Sequence, residues 1–112
     1  MKYFKPEEFK MGNEVVYDKM NSEFLEKLDG LRYLCSIPLK LNSSFRSKEY
    51  NKSIGGATNS MHLLGRAVDI ACNNSITRAI ILKNALNMGL TCGVYKTWIH
   101  IDDRETQLVY HG

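Results

Sequence analysis

The stretch Ser60-Met-His-Leu-Leu-Gly-Arg-Ala-Val-Asp-Ile-Ala-Cys72 changes character at Gly65. From Arg66 to Cys72 it alternates: Val68, Ile70 and Cys72 point one way and Ala67, Asp69 and Ala71 the other, the period of a strand. The apolar set belongs in a core, so Asp69 is expected on the opposite face, between alanines small enough to leave space beside it. Trp98-Ile-His-Ile-Asp102 repeats the pattern. Ile99 and Ile101 turn to the core, while Trp98, His100 and Asp102 share the other face. Two strands that each hold a ligand-type side chain away from the core predict a sheet with a cleft on one side.

The rest of the chain supplies the layers around those strands. Pro6 is a good first helical position and predicts a turn of helix over residues 6–11. Asn21 or Ser22 can cap a helix running to about Cys35, whose Phe24, Leu25, Leu28, Leu31 and Cys35 fall on one stripe, with Pro38 as its stop. Leu39 to Ser43 alternates like a strand. Ser47 opens a short helix, Lys48 to about Ile54, closed by Gly55-Gly56. A further helix, Ser75 to about Met88, is expected to bury Ile76, Ala79, Ile80 and Leu86 and to end at Gly89. Leu90 to Tyr95 completes the strands. The expected fold is α+β, a small antiparallel sheet with flanking helices, in one domain over residues 1–112.

Composition narrows the class of partner. An apolar fraction of 44% and a charged fraction of 24% are those of an ordinary water-soluble domain. The net charge of +3 comes without any Lys/Arg stripe, so neither nucleic acid nor a membrane is an expected partner. No stretch reaches the apolar length of a membrane span. Met1-Lys-Tyr-Phe-Lys-Pro-Glu-Glu-Phe9 has acidic residues and no apolar run, so synthesis in the cytoplasm without a signal peptide is expected, with release by another route. The three cysteines, Cys35, Cys72 and Cys92, form no Cys-x-x-Cys pair and read as reduced buried thiols.

The chain has three histidines, and two stand in the segments quoted above. His62, Asp69 and His100 offer two imidazoles and a carboxylate. Three such ligands leave a fourth position for water, the count of a catalytic rather than a structural zinc site. His62 and Asp69 are seven positions apart, a spacing that does not put them on one helical face but suits a loop leading into a strand.

The motifs Ser44-Phe-Arg-Ser47, Asn51-Lys-Ser-Ile-Gly-Gly-Ala57, Ser60-Met-His-Leu-Leu-Gly-Arg-Ala-Val-Asp69 and Trp98-Ile-His-Ile-Asp102 together resemble those of the zinc D-alanyl-D-alanine carboxypeptidase family. That family also holds phage endolysins and cell-wall endopeptidases, and its fold is shared by hedgehog signalling domains. The likeness runs from about residue 3 to 104, including Tyr3-Phe-Lys-Pro-Glu-Glu-Phe9. It implies that His62, Asp69 and His100 bind one zinc ion and that Arg46 contacts substrate and stabilises the oxyanion. It implies that Ser60 orients its loop or touches substrate, and that Asp102 fixes an imidazole or positions Arg46, with the role of general base open to it. Trp98 would wall the cleft or stack on substrate. The implied activity is hydrolysis of a D-amino-acid-containing bond in a peptidoglycan peptide by a monomer acting at the cell wall. The sequence departs from the family in one place: many members carry a glutamate or histidine just before the last zinc histidine, and Tyr95-Lys-Thr-Trp-Ile-His100 has neither. A zinc-stabilised binding module that no longer hydrolyses is therefore the alternative.

Overall fold

Phe9 decides how the chain starts. The computed structural model describes residues 1–112. A 3-10 turn spans only Pro6–Glu8, because Phe9 leaves it in extended backbone and is fully buried. Its ring lies 5.9 Å from that of Phe4 and 5.4 Å from that of Tyr17. Burying this side chain outweighs continuing a short helix, so the turn expected over 6–11 gives way to a small hairpin, β1 (Lys10–Met11) with β2 (Glu14–Val15).

Helix α1 (Ser22–Cys35) starts where the Asn21 side chain accepts the Phe24 N–H at 3.0 Å. The stripe Phe24, Leu25, Leu28, Leu31 and Cys35 is buried as its spacing predicts. The helix ends at Ser36, in left-handed backbone with φ 53°, before Pro38 is reached. Strand β3 (Leu41–Ser43) and helix α2 (Lys48–Ser53) follow, α2 capped by Ser47. Next come β4 (Ala67–Ala71), helix α3 (Ser75–Asn87), β5 (Thr91–Val94), β6 (Trp98–Asp102) and β7 (Val109–His111).

The five-stranded sheet runs β3-β4-β6-β5-β7. Its first four strands pair antiparallel, and β7, which the sequence reading left out, pairs parallel to β5 at the edge. Val68, Ile70, Cys92, Ile99 and Ile101 line the face covered by α1 and α3 and are buried with Leu28, Leu31, Ile81 and Ala85 in one core. The buried face of α3 differs from expectation. Ile76 is 78% exposed and Ala79 faces water, while Ile81 and Ala85 are fully buried. Docking against α1 and β5 selects the 81–85 line, with Ile80, Leu82 and Leu86 only flanking it. The three cysteines are free and buried. No helix is long and apolar enough to cross a membrane.

A charged cluster ties α1 to the end of β6. Asp103 accepts from Arg66 Nε at 2.9 Å and Nη2 at 2.6 Å, and from Lys27 at 3.1 Å, with its side chain 2% exposed. Burial works to raise its pKa, but Arg66 and Lys27 overcome that and hold it below the usual carboxylate range. A depressed carboxylate stabilises the fold above its unfolded pKa of about 4, and that contribution fades as pH falls through the folded value. Asp103→Asn should therefore cost about 2 kcal/mol at pH 7. In denaturant titrations the difference from the parent should shrink below about pH 4; an unchanged gap there would remove the charge from the explanation.

Candidate metal centre

Register brings the site together. Asp69 on β4 pairs directly with His100 on β6, so their side chains rise side by side from the face away from the core. The same row continues through Ser43 on one side and through Gly93 and Tyr110 on the other. His62 joins from a 3-10 turn, Met61–Leu64, that leads into β4. Ser60 starts this turn by accepting the His62 N–H at 3.1 Å, and Gly65 ends it in left-handed backbone with φ +66°.

Each of the three side chains is held from behind by a partner that fixes which atom faces inward. His62 Nδ1 lies 2.6 Å from the Ser44 carbonyl, which can only accept, so Nδ1 carries the proton and Nε2 presents its lone pair. His100 Nε2 lies 2.7 Å from Asp102 Oδ2, which places the proton there and turns the Nδ1 lone pair inward. Asp69 Oδ2 accepts from Arg46 Nη2 at 3.2 Å, leaving Oδ1 free to face 3.3 Å to His62 Nε2 and 3.1 Å to His100 Nδ1. The three ligand atoms lie within 4.8 Å of one another, and all three residues are buried. Two imidazole nitrogens and a carboxylate oxygen with lone pairs converging in this way can hold a metal ion.

The electrostatics follow from that crowding. Burial pushes the Asp69 carboxyl up, but the His100 and His62 rings beside it more than reverse that and hold it below the usual carboxylate range. Asp102 behaves alike: burial raises it, and His100 with Arg104 bring it below its usual range. For His100 burial favours the neutral ring, and the two flanking carboxylates outweigh it, raising its pKa.

These residues floor an open cleft of about 630 Å³. Arg46 stands at one side. Its guanidinium donates to Ser43 Oγ at 3.1 Å, Asn51 Oδ1 at 3.2 Å and Asp69. Asn51 is buried and also donates to the Ala57 carbonyl at 2.9 Å, which pins the Gly55–Ala57 loop along the cleft edge. Trp98 lines the far wall, stacked on Tyr95 with centroids 4.4 Å apart and planes 7° from parallel. Ser60 also lines the cleft. Asp102 does not: it is fully buried and bonded to His100 and Arg104, so it reaches neither the cleft nor Arg46.

Asn51, quoted in the sequence only as the start of a motif, and Tyr95, Arg104 and Tyr110, given no role there, all stand at or beside this cleft. For Arg104 a signal was present. The alternation Trp98, His100, Asp102 continues to Arg104, so the same face was due to carry it. Tyr110 had none, because its strand is short and pairs only with β5.

No match is found among curated proteins. The family model for peptidase M15 matches residues 2–102, a span that contains Arg46, Ser60, all three converging side chains and nearly the whole of the sheet. With that match over most of its length, this chain belongs to the peptidase M15 family.

Proposed function

We propose that this peptidase is zinc-dependent and hydrolyses a D-amino-acid-containing peptide bond of bacterial peptidoglycan, as a D-Ala-D-Ala carboxypeptidase or as an endopeptidase of the endolysin type. The observation that carries the proposal is the inward convergence of His62 Nε2, His100 Nδ1 and Asp69 Oδ1 on the floor of an open cleft. The protein would act as a monomer at the cell wall.

The donor set fits zinc, which takes two histidines and a carboxylate in many hydrolytic sites. When bound, zinc supplies Lewis acidity and brings the pKa of its water to about 7. The chain's own side chains do the remaining work. Asp102 holds the His100 ring in one tautomer, and the Ser44 carbonyl does so for His62. A guanidinium has five N–H donors, and Arg46 spends three on Ser43, Asn51 and Asp69. The others are available where negative charge develops on the scissile carbonyl. Tyr110 lines the cleft with a phenol pushed up to about 12 by burial, so at neutral pH it is a donor and not a base.

Arg46→Ala tests this division of labour. Loss of an oxyanion donor should lower kcat by about 10²–10³. The freed Asp69 should also weaken metal binding by about 10–100-fold. Arg46→Lys should recover little, since one ammonium cannot meet three acceptors arranged for a fork. A kcat within a factor of two of the parent would remove Arg46 from the chemistry.

The second reading is a zinc-stabilised binding module, and one observation favours it. No carboxylate or imidazole outside the triad lines the cleft to take a proton from water. The two readings part at turnover: the binding module retains muropeptide without cleaving it.

A further inference from the structure

Arg104 is the second guanidinium of the cleft, and it is built differently from Arg46. Its backbone N–H and its Nε each donate to Asp102 Oδ1 at 3.0 Å, and Nη2 donates to Oδ2 at 2.5 Å. Asp102 is fully buried, so the guanidinium is anchored edge-on to a fixed base. The Tyr110 ring supports its flat face, 5.7 Å from ring centroid to Cζ. Tyr110 itself lies on bare backbone: a Cβ at Gly93 would come within 2.6 Å of the ring. What this leaves over is Nη1, on a side chain 32% exposed at the cleft wall: the bonds to Asp102 do not use it, and the guanidinium's other polar neighbour is the Tyr110 hydroxyl. An anchored, half-open guanidinium with one free edge is a receptor for an anion.

The surroundings say which anion. Of the cleft-lining residues only Asp69 carries negative charge, and Arg46 already neutralises it. A bound metal would make the cleft more positive still. Arg46 bonds Asp69 from the β3 side, while Arg104 shares Asp102 with His100 and lies against Tyr110 of β7, so the triad stands between the two guanidiniums. A peptide whose scissile carbonyl sits over the triad would put its next group against Arg104, with Tyr110 between that guanidinium and the Tyr95–Trp98 stack. Arg104 and Tyr110 also lie past residue 102, where the family match ends.

We propose that Arg104 is a specificity-determining residue that binds a substrate carboxylate next to the scissile bond, either the peptide's C-terminus or a side-chain carboxylate on the leaving residue. The proposal rests on the peptidase reading for which bond is next to it, but not for the binding itself.

The test uses three peptides with the same scissile bond: one with a free C-terminus, its C-terminal amide, and an amide whose only carboxylate is on the leaving residue's side chain. Zinc-loaded parent, Arg104→Gln and Arg104→Lys are compared by calorimetric Kd and by KM and kcat, with zinc content measured for each. The parent should prefer at least one carboxylate peptide over the plain amide by about tenfold or more, the value of a charged hydrogen bond. In Arg104→Gln that ratio should collapse toward one, and Arg104→Lys should restore part of it. Whichever carboxylate is preferred identifies its source. Equal discrimination in parent and Arg104→Gln, or none in the parent, overturns the proposal. A variant that loses zinc and kcat on all peptides with its ratio intact also overturns it, since Arg104 would then act only through Asp102 and His100. Carboxylate discrimination in binding by a parent that cleaves none of the peptides would sink the peptidase reading and leave Arg104 assigned.

Discussion

His62→Ala should lose the metal, lose hydrolysis and melt about 15 °C below the zinc-loaded parent. His62 is 2% exposed and supplies one of three converging lone pairs, and no neighbouring group can replace it. A metal that binds only the folded state stabilises it by about 4 kcal/mol when present at a thousand times its Kd. For a domain of this size that is roughly 15 °C. The chelated parent separates metal loss from the cavity left by the ring. It should melt close to the variant, and any further deficit in the variant belongs to packing. His111→Ala is the matching control, because that histidine is exposed on β7 and away from the cleft. Stoichiometric zinc in purified His62→Ala would sink the ligand assignment.

Of the four glycines with positive φ, Gly65 should be the least tolerant of alanine, with Gly65→Ala costing roughly 3–5 kcal/mol, a large part of a typical domain's stability. Two effects add. Gly65 has φ +66°, where an L side chain costs about 1 kcal/mol or more. The added Cβ would also lie 2.4 Å from the Lys19 carbonyl oxygen and 3.0 Å from Asn21 N and Met20 Cα. Those are backbone atoms of the segment leading into α1, and the Asn21 N–H donates to the Gly65 carbonyl at 2.9 Å, so neither side can yield cheaply. Gly89→Ala isolates the first effect. It shares a positive φ, of +80°, but its Cβ would meet nothing within 4 Å, so about 1 kcal/mol is expected. Equal costs for the two substitutions in denaturant unfolding would show that the contact with residues 19–21 is not what makes Gly65 necessary. Because the same glycine closes the turn that carries His62, metal affinity should fall along with stability.

The parts of the fold that could be read in the sequence are those where one local pattern had a single burial solution. The stripe of α1 and the alternation of β4 and β6 each place apolar residues on one side only, and the structure buries them there. From that alternation the facing of Asp69 and His100 followed, and the register then set them side by side. Helix α3 is apolar on several faces, so its own periodicity did not choose among them. Contact with α1 and β5 did, and Ile76 was left in water. The β1–β2 hairpin and β7 are only two or three residues long, too short for an alternation to show. The site divides the same way. Its converging side chains sit on regular strands or beside a glycine turn, and Arg104 continues the alternation of β6, whereas Tyr110 enters through long-range strand pairing that no local pattern encodes. The motif resemblance implied a role for Arg46 toward substrate, but not its bond to Asp69, which ties it to the converging side chains of His62, Asp69 and His100.

The most direct test is mass spectrometry of purified cross-linked muropeptides incubated with the zinc-loaded protein, beside a chelated control. Zinc-dependent release of D-alanine, or a split stem or bridge, is the expected result, and its mass shift names the bond. Intact muropeptides recovered from a protein shown to carry one zinc would contradict the account and leave a binding module on a peptidase scaffold.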